Sequence, residues 1–232
     1  MGKITRLQLQ KKNQERVNVF IDDEYAFAVA LERAQSLAKG QELSPQETAK
    51  LKAEGDADLA YQRSLRYLAR RPRSRKEMED YLTRHKHDED TVAATVRRLE
   101  ERRYVDDDAF AAFWVEQRNR FRPRGLQALR HELRQKGVAR DVIEQALEAQ
   151  DDAGAAWAAL HPRLARGFGD EQRAFFQKAM AYLARRGFAY GVARQAVERG
   201  WAIQSGEGEE DLDYDGEDDE VEDEGESFTD EL

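Results

Sequence analysis

A short motif repeats along this chain at a nearly fixed interval, and that recurrence limits the fold more than any other feature. Arg71-Pro72-Arg73-Ser74 returns 51 positions later as Arg122-Pro123-Arg124-Gly125. The same step carries Met78 onto Leu129, Leu82 onto Leu133, Val92 onto Ile143 and Val96 onto Leu147. A further step of 50 carries Leu133 onto Leu183, Gly137 onto Gly187 and Leu147 onto Val197. Units of about 50 residues that each hold one thin apolar stripe bury it by stacking on their neighbours in a quasi-linear array.

Within the units the apolar spacing is helical. Val92, Val96 and Leu99 fall at i, i+4, i+7, and Leu126, Leu129 and Leu133 at i, i+3, i+7, against charged opposite faces. Each unit reads as three helices. The third has Ala179 and Ala193 where the others carry larger residues, and we expect it to be a cap or a looser end of the array. Asp106-Asp107-Asp108 supplies an N-cap for the helix that follows, and Gly137 after LRHELRQK suits a helix C-terminus.

The first 31 residues follow a different period. Leu7 and Leu9, then Val17, Val19 and Ile21, then Tyr25, Phe27 and Val29 alternate with polar neighbours, with turn-like connectors at Lys11–Gln14 and Asp22-Asp23. This pattern predicts a small antiparallel meander, too small to stand alone. Ser44-Pro45-Gln46-Glu47 then opens a helix with a capping box, and Gly55 is expected to end it. The fold class is therefore mainly α: tandem three-helix repeats in an elongated array, a small N-terminal β meander, and an acidic tail. The expected divisions are 1–55 for the meander and its helix, 56–108, 109–153 and 154–204 for the three repeats, and 205–232 for the tail.

Charge is segregated along this plan. The 232 residues hold 38 Lys+Arg and 47 Asp+Glu, a net of −9, yet the last 28 contain 16 acids and no base. Residues 1–204 are thus net +7, and Ala60–Arg140 alone is net +8. An acidic tail of this composition is expected to stay disordered. It either solubilises the chain or folds back on the basic body and weakens its hold on DNA. The positive excess gathers at equivalent positions of two repeats: Arg70, Arg71, Arg73, Arg75 and Lys76 around Pro72, and Arg118, Arg120, Arg122 and Arg124 around Pro123. Arg130 and Arg134 extend it along the next helix. Such arginines fork onto phosphates or onto a partner's carboxylates. Tyr104, Phe110, Phe113, Trp114 and Phe121 lie nearby; bases can stack on such rings, although Phe110, Phe113 and Trp114 have the spacing of core residues.

Catalytic signals are weak. There is no cysteine, phosphate loop, HExxH or GxSxG, so no cofactor or metal is expected, and His85-x-His87-Asp88 reads as a polar turn between helices. No apolar run approaches the roughly 20 residues that cross a bilayer, and the N-terminal segment lacks a signal-peptide pattern, so a cytoplasmic protein is expected.

LRYLARRPRSRKEMEDYL, RRYVDDDAFAAFWVEQR and RPRGLQALRHELRQKGV, together with the opening KITRLQLQKKNQERVNVFIDDEYAFAVA, resemble the RecX family, regulators of the RecA recombinase. The tail has no counterpart in that pattern. The resemblance implies a non-enzymatic protein that lodges in the groove of the RecA–DNA filament and limits filament growth, ATP hydrolysis, strand exchange and recombination. Regulation of DNA repair and the SOS response follow from it. It assigns filament contact to Arg71, Arg73, Arg75 and Lys76 in the first repeat and to Arg118, Arg122 and Arg124 in the second, and a structural role to Pro72, Asp106, Trp114, Pro123, Leu133 and Gly137. The expected partners are the RecA filament and DNA, single-stranded first and double-stranded second, met by a monomer. A different reading of the same basic three-helix units is a stand-alone helix-turn-helix DNA-binding module.

Overall fold

The computed structural model describes residues 1–11, 13–165, 168, 169 and 171–206. Most of the acidic tail, residues 207–232, lies outside them, and so does its expected disorder.

The meander forms as the alternation predicts. Strands β1 (Gly2–Leu9), β2 (Arg16–Ile21) and β3 (Glu24–Ala30) pair antiparallel, and β4 (Glu42–Leu43) adds to β1, in the order β3-β2-β1-β4. Asp22 and Asp23 take positive φ values of 49° and 70°, as a two-residue hairpin turn requires. Val17, Val19, Phe27 and Val29 are buried as expected. On β1 the buried anchor is Ile4, and Leu9 at the strand end is exposed; a register shift between Ile4 and Arg6 breaks the simple alternation. A short helix α1 (Leu31–Ala34) closes this part of the core.

The helix opened by Ser44 does not end at Gly55. Helix α2 (Pro45–Leu68) runs 24 residues through it, with the Ser44–Glu47 capping box formed as read. Gly55 is buried inside the helix because a Cβ there would collide with the carbonyl of Ala28 on β3. The missing side chain serves close packing of helix on sheet rather than termination. Arg16 locks that contact: its Nη2 donates to Ala28 O at 2.9 Å and to Gly55 O at 3.0 Å, and its Nη1 pairs with Asp58 at 3.3 Å. The expected division after residue 55 thus falls within a continuous helix, whose C-terminal half belongs to the first repeat.

That repeat is completed by α3 (Arg75–Arg84) and α4 (Glu89–Glu101), the second by α5 (Asp107–Phe121), α6 (Leu126–Gln135) and α7 (Arg140–Leu147), and the third by α8 (Asp152–Leu164), α9 (Gln172–Arg185) and α10 (Tyr190–Gln204). Each has its own core: around Met78, Leu82, Val96 and Leu99; around Phe110, Leu129, Leu133 and Ile143; and around Leu160, Phe175, Leu183 and Val197. In the third, the small residues Ala179 and Ala193 are buried beside aromatics, with Phe168, Phe175, Phe188 and Trp201 filling the space.

The repeats join head to tail through one recurring contact. The N-terminus of each middle helix rests on the C-terminal turn of the next repeat's middle helix. Ser74 Oγ donates to Lys136 O at 2.7 Å, and the Gly125 amide donates to Arg186 O at 3.0 Å. The turns beneath are left-handed at Gly137 (φ 81°) and Gly187 (φ 82°). A Cβ on Gly187 would lie 2.5 Å from the Ala128 amide nitrogen, and one on Gly137 would enter the Lys76 side chain. An aspartate from the next repeat then accepts from the first helical amide: Asp107 from Arg75 N at 2.8 Å, Asp152 from Leu126 N at 3.0 Å.

The outer repeats differ from the joints. The position equivalent to Gly137 in the first repeat is Lys86, which adopts φ 62° with a side chain in place of the glycine. In the third repeat α9 starts one turn earlier than α6, 14 residues against 10. We expect Gly187→Ala to cost about 2–4 kcal/mol through backbone strain and collision. Gly191→Ala, where nothing lies within 4 Å of the new methyl, should change stability by less than about 1 kcal/mol. Urea unfolding of both variants, with hydrogen exchange localised to the joint, measures this.

Candidate nucleic-acid interface

The basic residues singled out by the repeat divide into those the fold uses itself and those it leaves at the surface. Glu77 is the centre of the first group. It occupies the third position of α3, completing a capping box with Ser74, and its carboxylate accepts from both Arg71 Nη atoms at 3.0 Å and from Lys136 Nζ at 2.6 Å. Burial alone would raise this acid, but the hydrogen bonds and charges of Arg71 and Lys136 outweigh it and bring it down to about 2. Arg71 and Lys136 therefore pin the first joint. Arg73 is 7% exposed, with its guanidinium 3.7 Å from the Tyr67 ring centroid, and Tyr67 stacks in turn on Tyr81. Of the two residues expected to contact the filament, Arg71 lies half-buried in an ion-pair network and Arg73 is enclosed.

Glu132 plays the matching part in the second repeat. It accepts from Arg118 Nε and Trp114 Nε1, each at 2.8 Å, and Arg124 Nε lies 3.8 Å away. The rings of Phe110, Phe113 and Trp114 are buried or half-buried, as their spacing suggested. Arg118 and Arg124 are thus half-buried members of the interior network as well. Arg130 forms a forked pair with Glu144, its Nη2 at 2.9 Å.

The remaining expected residues face outward. Arg75 pairs with Glu79 and Glu100, and Lys76 with Asp80 at 2.7 Å, but more than half of each basic side chain is exposed. Exposed i,i+4 pairs of this kind contribute only about 0.3–0.5 kcal/mol, so phosphate can displace the carboxylate. Arg122, at the C-cap of α5, and Arg134, in the last turn of α6, are exposed and have no acid within ion-pair distance among the described residues. Arg66, Arg97, Arg103 and Arg120 share that state although the repeat motif did not single them out as contacts. Phe121 is 60% exposed between Arg120 and Arg122, and Tyr104 is 53% exposed beside Arg103. An arginine outside the aligned motif, next to an aromatic without an apolar partner in the pattern, was the available signal.

The joints carry two further perturbed acids. Burial pushes both Asp107 and Asp152 above the usual carboxylate range, and the amides they accept from offset this only in part. The histidine turn is ordinary: Asp88 caps α4 by accepting from Thr91 N at 2.9 Å.

This architecture matches known proteins domain by domain. The RecX N-terminal domain matches residues 2–44, the first RecX three-helix domain residues 60–99, and the second residues 106–147. The chain belongs to the RecX family. The regulatory protein RecX of Bacillus subtilis (strain 168) is 31% identical over 201 residues, covering 84% of this chain and 76% of that protein. That of Lactobacillus delbrueckii subsp. bulgaricus (strain ATCC 11842) is 34% identical over 217 residues, covering 90% and 79%. A crystal structure of a regulatory protein RecX superposes with a TM-score of 0.63 at 27% identity, over 85% of this chain and all of the other. RecX from Lactobacillus salivarius shares the fold, with a TM-score of 0.55 over 62% of this chain and 95% of that one. No helix among the described residues is long and apolar enough to cross a membrane.

Glu77 makes the joint sensitive to acid. Its unfolded value near 4.5 falls to about 2 on folding, so it stabilises the chain by about 3 kcal/mol above pH 4.5. That contribution is lost as pH falls from about 4.5 to about 2. Glu77→Gln should be less stable at pH 7 by a similar amount and should lose this part of the acid-unfolding curve. Unfolding measured across pH 2–7 for both chains checks the sign and size.

Proposed function

We propose that this chain binds the filament that the RecA recombinase forms on DNA and restrains its growth, ATP hydrolysis and strand exchange. It thereby tempers recombination, repair and the SOS response, in the cytoplasm and without a catalytic step of its own. Membership of the RecX regulatory family supports the reading. The observation that carries it is the jointed array, which sets exposed arginines without acid partners on two successive units. A filament offers phosphates and protein surface at regular intervals, and an array already fixed in shape pays little ordering cost to meet many of them. Its partners are then the recombinase and DNA, single-stranded first and duplex second. It meets them as a monomer in this reading.

The helix-turn-helix reading is less well supported. Recognition helices present their N-terminal residues to base edges. In the first repeat that helix, α4, begins with Asp88, Glu89 and Asp90, which would face a strongly negative groove.

The test is ATP turnover by RecA on single-stranded DNA. Stoichiometric wild-type chain should slow it, and unchanged turnover would count against the proposal. Replacing Arg120, Arg122 and Arg134 together by alanine should weaken the effect at least about tenfold with the melting temperature little changed, since within the fold these exposed side chains make only an Arg134 Nε–Arg130 O hydrogen bond at 3.1 Å and an Arg120–Phe121 ring contact. Arg71→Ala should instead lower the melting temperature.

A further inference from the structure

The surface charge left over by the fold and the charge of the chain's own end are opposite and within reach of each other. Residues 207–232 contain all sixteen tail acids and no lysine, arginine or histidine. Extended, that segment places one carboxylate every 5–6 Å or so, against about 3.4 Å per phosphate along one strand of a duplex. It is a sparser polyanion than DNA, of the same sign.

Its root lies one helix length from a surplus of positive charge on the neighbouring repeat. The described chain ends at Gly206, just beyond α10 of the third repeat. That repeat abuts the Arg122–Arg124 loop directly, through Gly125 N to Arg186 O at 3.0 Å and Arg186 Nη1 to Pro123 O at 3.5 Å. Arg120 and Arg122 flank the loop on the α5 side, exposed and without an acid partner, and Arg134 lies on α6. A chain of 26 residues reaches up to about 90 Å extended and about 28 Å as a coil. A 15-residue helix is about 22 Å long, so the neighbouring repeat is well inside that range.

We infer that the acidic segment 207–232 occupies the basic surface around Arg120, Arg122 and Arg134 and competes there with nucleic-acid phosphate. The competition is intramolecular. A tether of this length holds the acids at an effective concentration on the order of 1 mM, so a contact with a dissociation constant below about 1 mM covers the surface most of the time. Apparent affinity for DNA falls by the fraction of time the surface is open. The restraint is strongest at low salt and fades as the Debye length shrinks from about 10 Å at 0.1 M to about 3 Å at 1 M. Nothing in the family's matched domains supplies it, because those end at residue 147.

The experiment compares the full chain with a full-length variant whose sixteen tail acids are changed to their amides, and with one whose tail is shuffled at constant composition. Binding to a single-stranded oligothymidylate is followed by anisotropy from low to high salt. The amide variant should bind about 3- to 10-fold more tightly at low salt and converge with wild type at high salt, and the shuffled tail should behave as wild type. Equal affinity of wild-type and amide chains across the salt series would overturn the proposal, and loss of the effect on shuffling would overturn its charge basis. The DNA arm rests on the nucleic-acid reading above; a second arm does not. A fluorescent peptide of residues 207–232 added to the amide variant should bind saturably, lose binding at 1 M salt, and bind more weakly when Arg120, Arg122 and Arg134 are alanine. Absence of peptide binding sinks the inference whether or not the chain binds DNA.

Discussion

The contact on which the rest of this structure depends is a helix N-terminus seated on a left-handed turn. A three-helix unit of this size has too thin a core to orient its neighbours by apolar burial alone, and the cores here are self-contained. What links one unit to the next is backbone chemistry. Helix ends carry amides and carbonyls that need partners when buried. At each joint the carbonyl of Lys136 or Arg186 meets a donor at the preceding unit's helix start, and Asp107 or Asp152 takes the next amide. The approach is possible only because Gly137 and Gly187 lack a Cβ. The cost shows in the two aspartates, which burial pushes toward their neutral forms. Because the same geometry recurs, the surfaces on either side of each joint hold a fixed relation, and a binding face can extend over several units.

Repetition made most of this architecture readable. The 51- and 50-residue steps located the helices, the core positions and Gly137 with Gly187, because each unit solves the same packing problem with the same residue types. The end of α2 was not readable. Gly55 looks like a helix stop by local rules, and its role depends on β3 and the Ala28 carbonyl arriving from elsewhere in the chain. Arg16 was invisible for the same reason: a buried arginine at a strand start makes sense only once Gly55 O and Asp58 are beside it.

The surroundings of the basic residues were less legible than the fold, and the cause is physical. Equivalent positions in a repeat preserve what the repeat needs for itself, so a motif shared between units selects structural arginines first. Arg71 and Arg73 around Pro72, with Arg118 and Arg124 around Pro123, turn inward onto Glu77, Tyr67 and Glu132. Pairs such as Arg75–Glu79 and Lys76–Asp80 follow from helical spacing. The pairing of Lys136 with Glu77 spans two repeats and 59 positions, and no local spacing reveals it. Arginines that differ between units, such as Arg120 and Arg134, are exposed and have no acid partner among the described residues.

This division bears on how such an array can hold a polyanion. Each cation that meets a phosphate contributes a salt slope of about −0.7 on a single strand. A cation already paired with a carboxylate contributes less, since binding exchanges one anion for another. With Arg71, Arg118, Arg124, Arg130 and Lys136 committed internally, the net charge of +8 over residues 60–140 overstates the phosphate contacts available. The electrostatic term is then modest and reversible. In the proposed role, selectivity for a filament over bare DNA would come from shape, which returns the burden to the glycine joints that set the spacing of the units.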